Sequence, residues 1–444
     1  MNSTSNDILP EAYKMTELGV LPEEWEVINL DKIIDLKRGI SWRKDEANKE
    51  GIGIPVIGIP NIKENGKIDF KDTYFLTKNI SSDKMVRIND ILFVGSSGSI
   101  KNIGRNVLIK EIQQNKFTYA SFTFLGRVNP LNANTVYIFY LLNSSFVDYD
   151  KYTRRASDGK YNFQLTQFKN EQKIPLPPLP EQQKIAAVLS AVQEAKEKTE
   201  AVISATKAIK KSMMKHLFTY GPVSPEETET VLLKETEIGP VPEDWHVVRL
   251  GEVAEKVKQK DPRRDPIHEF KYIDVSAISN DLLKITSYSE FLGKDAPHRA
   301  RKAIQTNDII FATVRPYLKR IAMVPENLNG QIASTAFCVI HCQKQIANPY
   351  YIFYTVSLDN FIKGVSENQR GSSYPAVTDK DILNQYIPLP PLPVQQKIAS
   401  ILSAIDDKIE AEENKKKAIE ELFKTILHNL MTAKIRVNHL EINV

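Results

Sequence analysis

The sequence predicts a mixed α/β protein made of a duplicated module: two similar globular bodies separated by two long antiparallel helices that form a coiled coil. Two pairs of matching stretches and the order in which they occur predict it. Residues 174–191 read IPLPPLPEQQKIAAVLSA and residues 387–404 read IPLPPLPVQQKIASILSA, identical at 15 of 18 positions. Upstream of each, ELGVLPEEWEVINL at 17–30 answers EIGPVPEDWHVVRL at 237–250, with Trp25 matching Trp245. The order is opening motif, long variable segment, Pro-rich run and helix, and then all four again. A period above 200 residues excludes a solenoid, whose units run ~20–50 residues.

Each opening motif ends in P-E-x-W followed by an alternating stretch, at 26–30 and 246–250, which suits a first strand with the Trp packed under it. The bodies continue with β-rich runs at 91–94, 118–125, 308–313 and 335–340, separated by loops rich in Gly, Asn and Pro. One helix is legible in each body: NTVYIFYLLN at 134–143 and NPYYIFYTVS at 348–357 share Y-I-F-Y after an Asn suited to capping. The bodies differ in length, with 155 residues from Trp25 to Pro180 and 148 from Trp245 to Pro393. A shared scaffold with divergent loops suits two related readers of different targets.

The Pro-rich runs at 175–180 and 388–393 are expected to be hinges that stop the preceding structure. Their last proline suits a first helical turn, where no N–H is needed. Beyond them the spacing alternates between four and three. The first helix places Ile185, Leu189, Val192, Lys196, Thr199, Ile203, Thr206, Lys210, Met213 and Leu217 on one seam. The second places Ile398, Leu402, Ile405, Ile409, Glu412, Lys416, Ile419, Phe423, Ile426 and Leu430 there. This is a heptad seam with a polar middle, which needs a partner. Two amphipathic helices each lying on its own body is the plainer reading; the duplication favours pairing them antiparallel. A helix of about 36 residues is ~54 Å long, on the order of one to one-and-a-half turns of B-DNA, so such a rod could act as a ruler.

Composition sets limits. A chain of 444 residues fits about two to four domains, and 42% hydrophobic with 26% charged residues is ordinary for a globular protein. A net charge of +4 does not indicate a general polyanion binder, so any nucleic-acid role needs local clusters of Lys and Arg. No run of ~18 apolar residues suggests a membrane partner. The start MNSTSNDILPE reads as neither signal peptide nor lipidation site, and a cytoplasmic location is expected. Cys338 and Cys342 flank His341, but four positions along a strand separate them by ~13 Å. Buried free thiols are expected there, with no shared ion and no disulfide.

Catalytic motifs are missing. The chain has no Walker loop and no G-x-G-x-x-G after a strand. Gly95-Ser96-Ser97-Gly98-Ser99 lacks the second Gly of a nucleophile elbow, leaving a flexible loop able to approach a phosphate, or a plain tight turn. Asn348-Pro349-Tyr350-Tyr351 resembles the N-P-P-Y motif of adenine methyltransferases but lacks its second Pro, and no cofactor loop accompanies it. Seven histidines show no ligand spacing. No catalytic residue, metal or cofactor is expected.

The basic loops are more informative. In the first body Arg43 and Lys44 sit with Lys37 and Arg38 around Trp42. Ser97, Lys101 and Arg105 follow, and then Arg154, Arg155 and Lys160 among Tyr152 and Tyr161. In the second, Arg263 and Arg264 precede Arg299, Arg301 and Lys302, then Arg315, Tyr317, Lys319 and Arg320, then Arg370 in NQRGSSYP. Arg pairs bidentately with guanine and Asn or Gln with adenine, while Lys serves phosphates. Any one cluster alone reads as solvated surface. Their recurrence between the same strands of both bodies points to duplex DNA.

Taken together, E-[LI]-G-x-[LV]-P-E-x-W, I-P-L-P-P-L-P-x-Q-Q-K-I-A, N-D-I-[LI]-F (89–93 and 307–311) and the Y-I-F-Y helices resemble the specificity subunit of type I restriction–modification enzymes, over essentially the whole chain. The resemblance implies an N-terminal extension at 1–16, target recognition domains at 17–174 and 222–387, Pro-rich hinges with conserved spacer helices at 175–221 and 388–434, and a tail at 435–444. Each recognition domain would read one half of a bipartite double-stranded DNA target, and the helices would set the spacing and dock two modification subunits. Catalysis would belong to those partners, which methylate adenine with S-adenosylmethionine, and to motor-nuclease restriction subunits. One departure is Val394 where the first copy has Glu181, so a helix-cap interaction would exist on one side only. The competing readings are a duplicated non-catalytic protein-interaction scaffold and a duplicated DNA-modifying enzyme. Salt-dependent DNA affinity separates the first from a DNA reader; S-adenosylmethionine binding by the isolated chain would mark the second.

Overall fold

In the computed structural model, which describes residues 12–63, 66–112, 116–371 and 375–441, the run N-D-I-[LI]-F is the spine of each body. Asn89 and Asn307 adopt left-handed φ values of 69° and 71°, a conformation Asn tolerates better than most residues. The carboxylates of Asp90 and Asp308 accept the backbone N–H of Arg87 and Gln305 at 2.7 and 2.8 Å, closing each turn. Along Asp90–Val94, Ile91 and Phe93 enter one core while Leu92 and Val94 enter another. Ile309–Ala312 divides in the same way. An unbroken apolar run is what a strand covered on both faces requires.

The chain divides into two compact units, Met1–Glu200 with Asn414–Val444, and Ala201–Glu413. Most of the polar start and residues 372–374 of the NQRGSSYP loop lie outside the described residues. In the first unit an antiparallel sheet runs Asn106–Leu108, Asp90–Val94, Thr123–Val128, Ile34–Arg38. A second sheet runs Thr118–Tyr119, Ile54–Ile57, Tyr74–Leu76, Ala47–Asn48. The run expected as one strand at 118–125 is thus two strands in two sheets, divided by a turn that the Thr123 hydroxyl closes by donating to Ala120 O at 2.7 Å. The second unit repeats the plan with Ala254–Glu255, Phe337–Cys342, Ile309–Ala312, Ile321–Met323, and with Ser289–Leu292, Glu269–Ile273, Ile332–Ser334, Ala300–Ala303. Cys338 and Cys342 are free and buried on one of these strands, and burial pushes the Cys342 thiol up to about 12.

Trp25 and Trp245 are buried, each just before a first strand, Glu26–Asn29 or His246–Arg249. These strands pair with Lys173–Leu176 and Tyr386–Leu389. The Pro-rich runs are therefore anchored strands at their start rather than hinges; each pairs on one side only, where proline is tolerated. Their carbonyls are also used. Tyr137 and Gln182 donate to Pro175 O and Pro177 O at 2.9 and 2.8 Å, and Tyr351 and Gln395 donate to Pro388 O and Pro390 O at 2.8 Å each. Gln182 and Gln395 in turn accept the backbone N–H of Asn134 and Asn348. Those two asparagines cap the helices Thr135–Leu142 and Pro349–Val356. The repeated Pro, Gln, Asn and Tyr are thus one hydrogen-bonded joint made twice.

The long helices, Leu179–Tyr220 and Leu392–Met431, have 42 and 40 residues, more than the expected 36 or so. Gly221 at φ 82° and Ala433 at φ 55° end them, a common helix stop. Every named seam position is buried or half-buried. Within the first unit, Ile185, Leu189 and Leu430 join the body's core, with Phe423 and Ile426 packed against it. Lys196 meets Glu420 and Lys416 meets Glu200 at 3.0 and 2.9 Å, so the helices run antiparallel there. Within the second unit Leu217, Ile398 and Leu402 are core residues and Met213 and Ile405 pack on them. Lys207–Glu413 and Lys210–Asp406, at 2.7 and 2.5 Å, again show antiparallel pairing. The helices thus both lie on the bodies and pair.

Two segments read as peripheral are built in. Tyr13–Thr16 pairs with Gly19–Pro22. After the second long helix, Val437 is buried and Leu440 packs on the first unit's core, while Lys184 donates to Asn438 O at 2.7 Å. Glu181 is not a helix cap. It accepts from Trp25 Nε1 at 2.9 Å and from Arg436 Nε and Nη2 at 2.7 and 2.9 Å.

Candidate nucleic-acid interface

A small sheet gathers part of the predicted site in the first unit. Thr153–Arg155, Tyr161–Phe163 and Ser96–Ser97 lie side by side. The register sets Arg154 opposite Asn162 and Asn162 opposite Ser96, while Arg155, Tyr161 and Ser97 line up beside them. Directly opposed residues share a face, so Arg154 and Arg155 serve different faces. The Arg155 guanidinium lies 5.9 Å from the Tyr161 ring centroid. Arg154 is exposed and donates to the carbonyls of Lys151 and Thr153 at 3.0 Å each. Lys160 sits on the turn between the strands with Asp158, whose carboxyl is held low by the Lys160 backbone N–H first and its ammonium second.

Ser97 requires a correction. Within the stretch read as a flexible loop or tight turn, Ser96–Ser97 is a short strand, and Ser97 is buried with its hydroxyl accepting from Ser99 N and Asn102 Nδ2 at 3.2 and 3.1 Å. It shapes the turn Ile100–Asn102, on which Lys101 is exposed. Arg105 is half-buried just before Asn106–Leu108. Arg43 and Lys44 are exposed on a separate turn, Lys44–Glu46. Glu46 is held low there by the Arg43 backbone N–H and then by Lys78.

The second unit repeats the ladder in reduced form. Val314 bridges Ala376, and Ala376 bridges Arg370, as Ser96, Asn162 and Arg154 align in the first. Arg315 N donates to Pro375 O at 2.8 Å. The following turn, Pro316–Leu318, is flanked by Arg315 and Lys319 at φ 50° and 51°, both in the sparsely populated left-handed region. That conformation presents Tyr317, which is 50% exposed. Lys319 is paired with Asp359 at 2.5 Å. Arg370 is largely exposed, with Asp381 3.7 Å away. Arg263 is less available, because Asp261, held at about 2 chiefly by this guanidinium, binds it at 2.9 Å. Arg264 is exposed beside it. Residues passed over in the sequence reading lie on the same ladders, Asn162 and Ala376 above all. Their signal was faint: a single Asn or Ala near a basic hairpin has no periodicity to flag it.

Among the described residues no helix is long and apolar enough to cross a membrane, and no cluster of His, Cys, Asp or Glu could hold a metal. The fold and the paired ladders thus define a duplicated module that carries a basic residue, Arg154 or Arg370, on an equivalent ladder in each copy. The type I restriction modification DNA specificity domain matches residues 22–205 and 242–421, and the chain belongs to that family. A Methanocaldococcus jannaschii protein provisionally named the type I restriction enzyme MjaX specificity subunit is 31% identical over 443 residues, covering 96% of this chain and 97% of that one. The type I restriction enzyme MjaVIII specificity subunit of the same organism is 28% identical, covering 95% of each chain. The crystal structure of the type I restriction–modification system S subunit from M. genitalium superposes with a TM-score of 0.58 at 16% identity, over 92% of this chain and 96% of that one. That last likeness is one of fold.

Proposed function

We propose that the chain is the DNA specificity subunit of a type I restriction–modification system, acting in the cytoplasm and carrying no catalytic residue of its own. Residues 17–174 and 222–387 serve as target recognition domains, each reading half of a bipartite duplex. The single observation behind this reading is the recurrence of basic side chains on equivalent ladders. Arg154 in one unit answers Arg370 in the other, with Lys101 and Arg105 following the Ser96–Ser97 strand of the first ladder and Lys319 and Arg320 following Val314 of the second. A two-stranded ribbon such as 153–163 fits a major groove about 12 Å wide. Exposed Lys and Arg around it would hold phosphates and set the register, while ribbon side chains reach base edges. The long helices set the distance between half-sites and offer their outer faces to two modification subunits, which bring S-adenosylmethionine chemistry; motor-nuclease subunits would complete the assembly.

The test is DNA binding by the full chain assembled with its modification subunits. A split target should be preferred, with affinity falling steeply as salt rises because Lys and Arg release counterions from phosphates. Equal binding to every sequence at physiological salt would reject DNA reading and favour a protein-interaction scaffold. Inserting four residues near Lys196–Thr199 advances the helix by ~6 Å. It should lengthen or shorten the unread spacer by about one or two base pairs, at ~3.4 Å each, while both half-sites keep their bases. An assembled variant that still reads the original spacing would remove the ruler role.

A further inference from the structure

The first unit contains a cleft of about 610 Å³ lined in part by Arg38, Ser41, Ser121, Phe122, Asn162 and Gln164. Its floor is the ring of Phe124, kept in place by a glycine. A Cβ on Gly95 would sit 2.3 Å from that ring, and one on Gly39 would sit 2.1 Å from Ala120 O. A side chain at Gly95 would displace the ring, and one at Gly39 would collide with the neighbouring backbone. The Arg38 guanidinium lies 5.2 Å from the Phe124 ring centroid, and among the described residues no carboxylate pairs with it. A cation resting on an aromatic floor is oriented without being neutralised. Asn162 reaches the cleft from the ribbon, on the face it shares with Arg154. Its side-chain amide makes no hydrogen bond to the described protein. Phe122, at the rim, is 57% exposed.

The second unit lacks the glycine, the exposed aromatic and the Asn at matching positions. Thr313 N donates to Ala336 O as Gly95 N donates to Phe122 O, and Val377 N donates to Thr313 O as Phe163 N donates to Gly95 O. Thr313 therefore stands for Gly95, and Ala336, buried, for Phe122. By the ladders, Val314 stands for Ser96 and Ala376 for Asn162. Asn162 and Phe122 are thus private to one copy, as a half-site reader would be and a scaffold feature would not.

The geometry points to this cleft as the base-reading surface of the first unit, in which Asn162 reads an adenine edge, Arg38 a guanine edge and Phe122 a thymine methyl. This rests on the DNA-reading function proposed above. Asn offers the donor–acceptor pair that matches adenine N6 and N7, the Arg fork matches guanine O6 and N7, and an aromatic ring suits the thymine methyl group.

The full chain and variants, expressed with the modification subunits, would be scored by the methylated motif they leave on host DNA. Asn162→Ala should reduce discrimination by about ten- to a hundredfold at one base pair of one half-site, leaving the other half-site intact. Asn162→Asp, equal in shape but lacking the donor, should move the preference at that position toward cytosine, whose amino group it can accept. Arg38→Ala should relax a different position of the same half-site. With purified wild-type complex, deoxyuridine in place of one thymine should weaken binding, and Phe122→Ala should abolish that difference. Variants that retain the full motif would overturn the assignment. So would loss of methylation at all sequences by Asn162→Asp together with a lowered melting temperature, which would mark a structural residue. If the wild-type chain leaves no split motif, the DNA-reading function itself falls and this proposal with it.

Discussion

In the first unit the Asp90 carboxylate is gripped by Arg127, through Nε at 2.8 Å and Nη2 at 2.7 Å, whereas in the second the matching Asp308 faces His341 Nδ1 at 2.5 Å. Both carboxylates are buried at the head of the central strand. Arg cannot lose its proton in a protein, while His can. Asp308 is pushed above its ordinary range by burial, with hydrogen bonds from Gln305 and His341 only partly opposing this. A second contrast lies beside each Trp. Glu181 and Arg436 surround Trp25, the guanidinium 5.9 Å from its ring centroid. Val394 stands for Glu181 in the other copy and packs on the cluster that holds Trp245. One scaffold thus accepts fixed ion pairs in one copy and titratable or apolar groups in the other, provided that both partners change together.

Breaking one partner alone should have the largest effect. Arg436→Ala leaves Glu181, whose side chain is only 4% exposed, buried without its cation, and should destabilise the first unit by about 3 kcal/mol. Glu181→Val with Arg436→Met makes both partners apolar, with the Val that the second copy has at Glu181's place, and should recover part of that loss. Urea unfolding checks both, and a single mutant as stable as the parent would show that the ion pair contributes nothing. Next come the ladder arginines. Arg154→Ala and Arg370→Ala should each cost about 1–3 kcal/mol of base discrimination, in opposite half-sites. Both affecting one half-site would contradict the assignment of one reader to each unit.

The smallest effect is confined to pH. Because the Asp308 pKa is raised from 3.8, the folded second unit holds that proton more tightly than the unfolded chain. This share of stability is full below the unfolded value and lost as pH rises through the folded one. Asp308→Asn removes the charge, so its melting temperature relative to wild type should rise from acid to neutral pH. Asp90→Asn, which strips Arg127 of its anion, should instead lower the melting temperature at neutral pH. Parallel behaviour of the two variants would erase the distinction between the units.

The repeated motifs were legible because their chemistry is local. Asn134 and Asn348 cap the helices they precede, and the strand after Asn89 or Asn307 is apolar throughout because both its faces are covered. What escaped the sequence is non-local. Ser96–Ser97 becomes a strand only because Tyr161 and Asn162 pair with it from some 65 residues away, so Gly-Ser-Ser-Gly read as a loop. The Pro-rich runs read as hinges because their partner strands lie nearly 150 residues upstream. Arg436 looked like part of a tail because its anions, Glu24 and Glu181, are more than 250 residues earlier. Among the basic residues, composition could nominate Arg154 and Arg370, but only the ladders show that they occupy equivalent places.

The tail around Arg436 also orders events during synthesis. The second unit is one continuous stretch, Ala201–Glu413, whereas the first needs Asn414–Val444. A ribosome that has made the whole first body still has over 200 residues to add before Leu430, Arg436 and Val437 emerge to fill its core and neutralise Glu181. The body translated first is therefore finished last. Nascent chains stalled before residue 414 should carry a protease-sensitive first unit, and release of the complete chain should make it resistant. A cell would thus have no fully formed reader of the first half-site until the reader of the second had already been made.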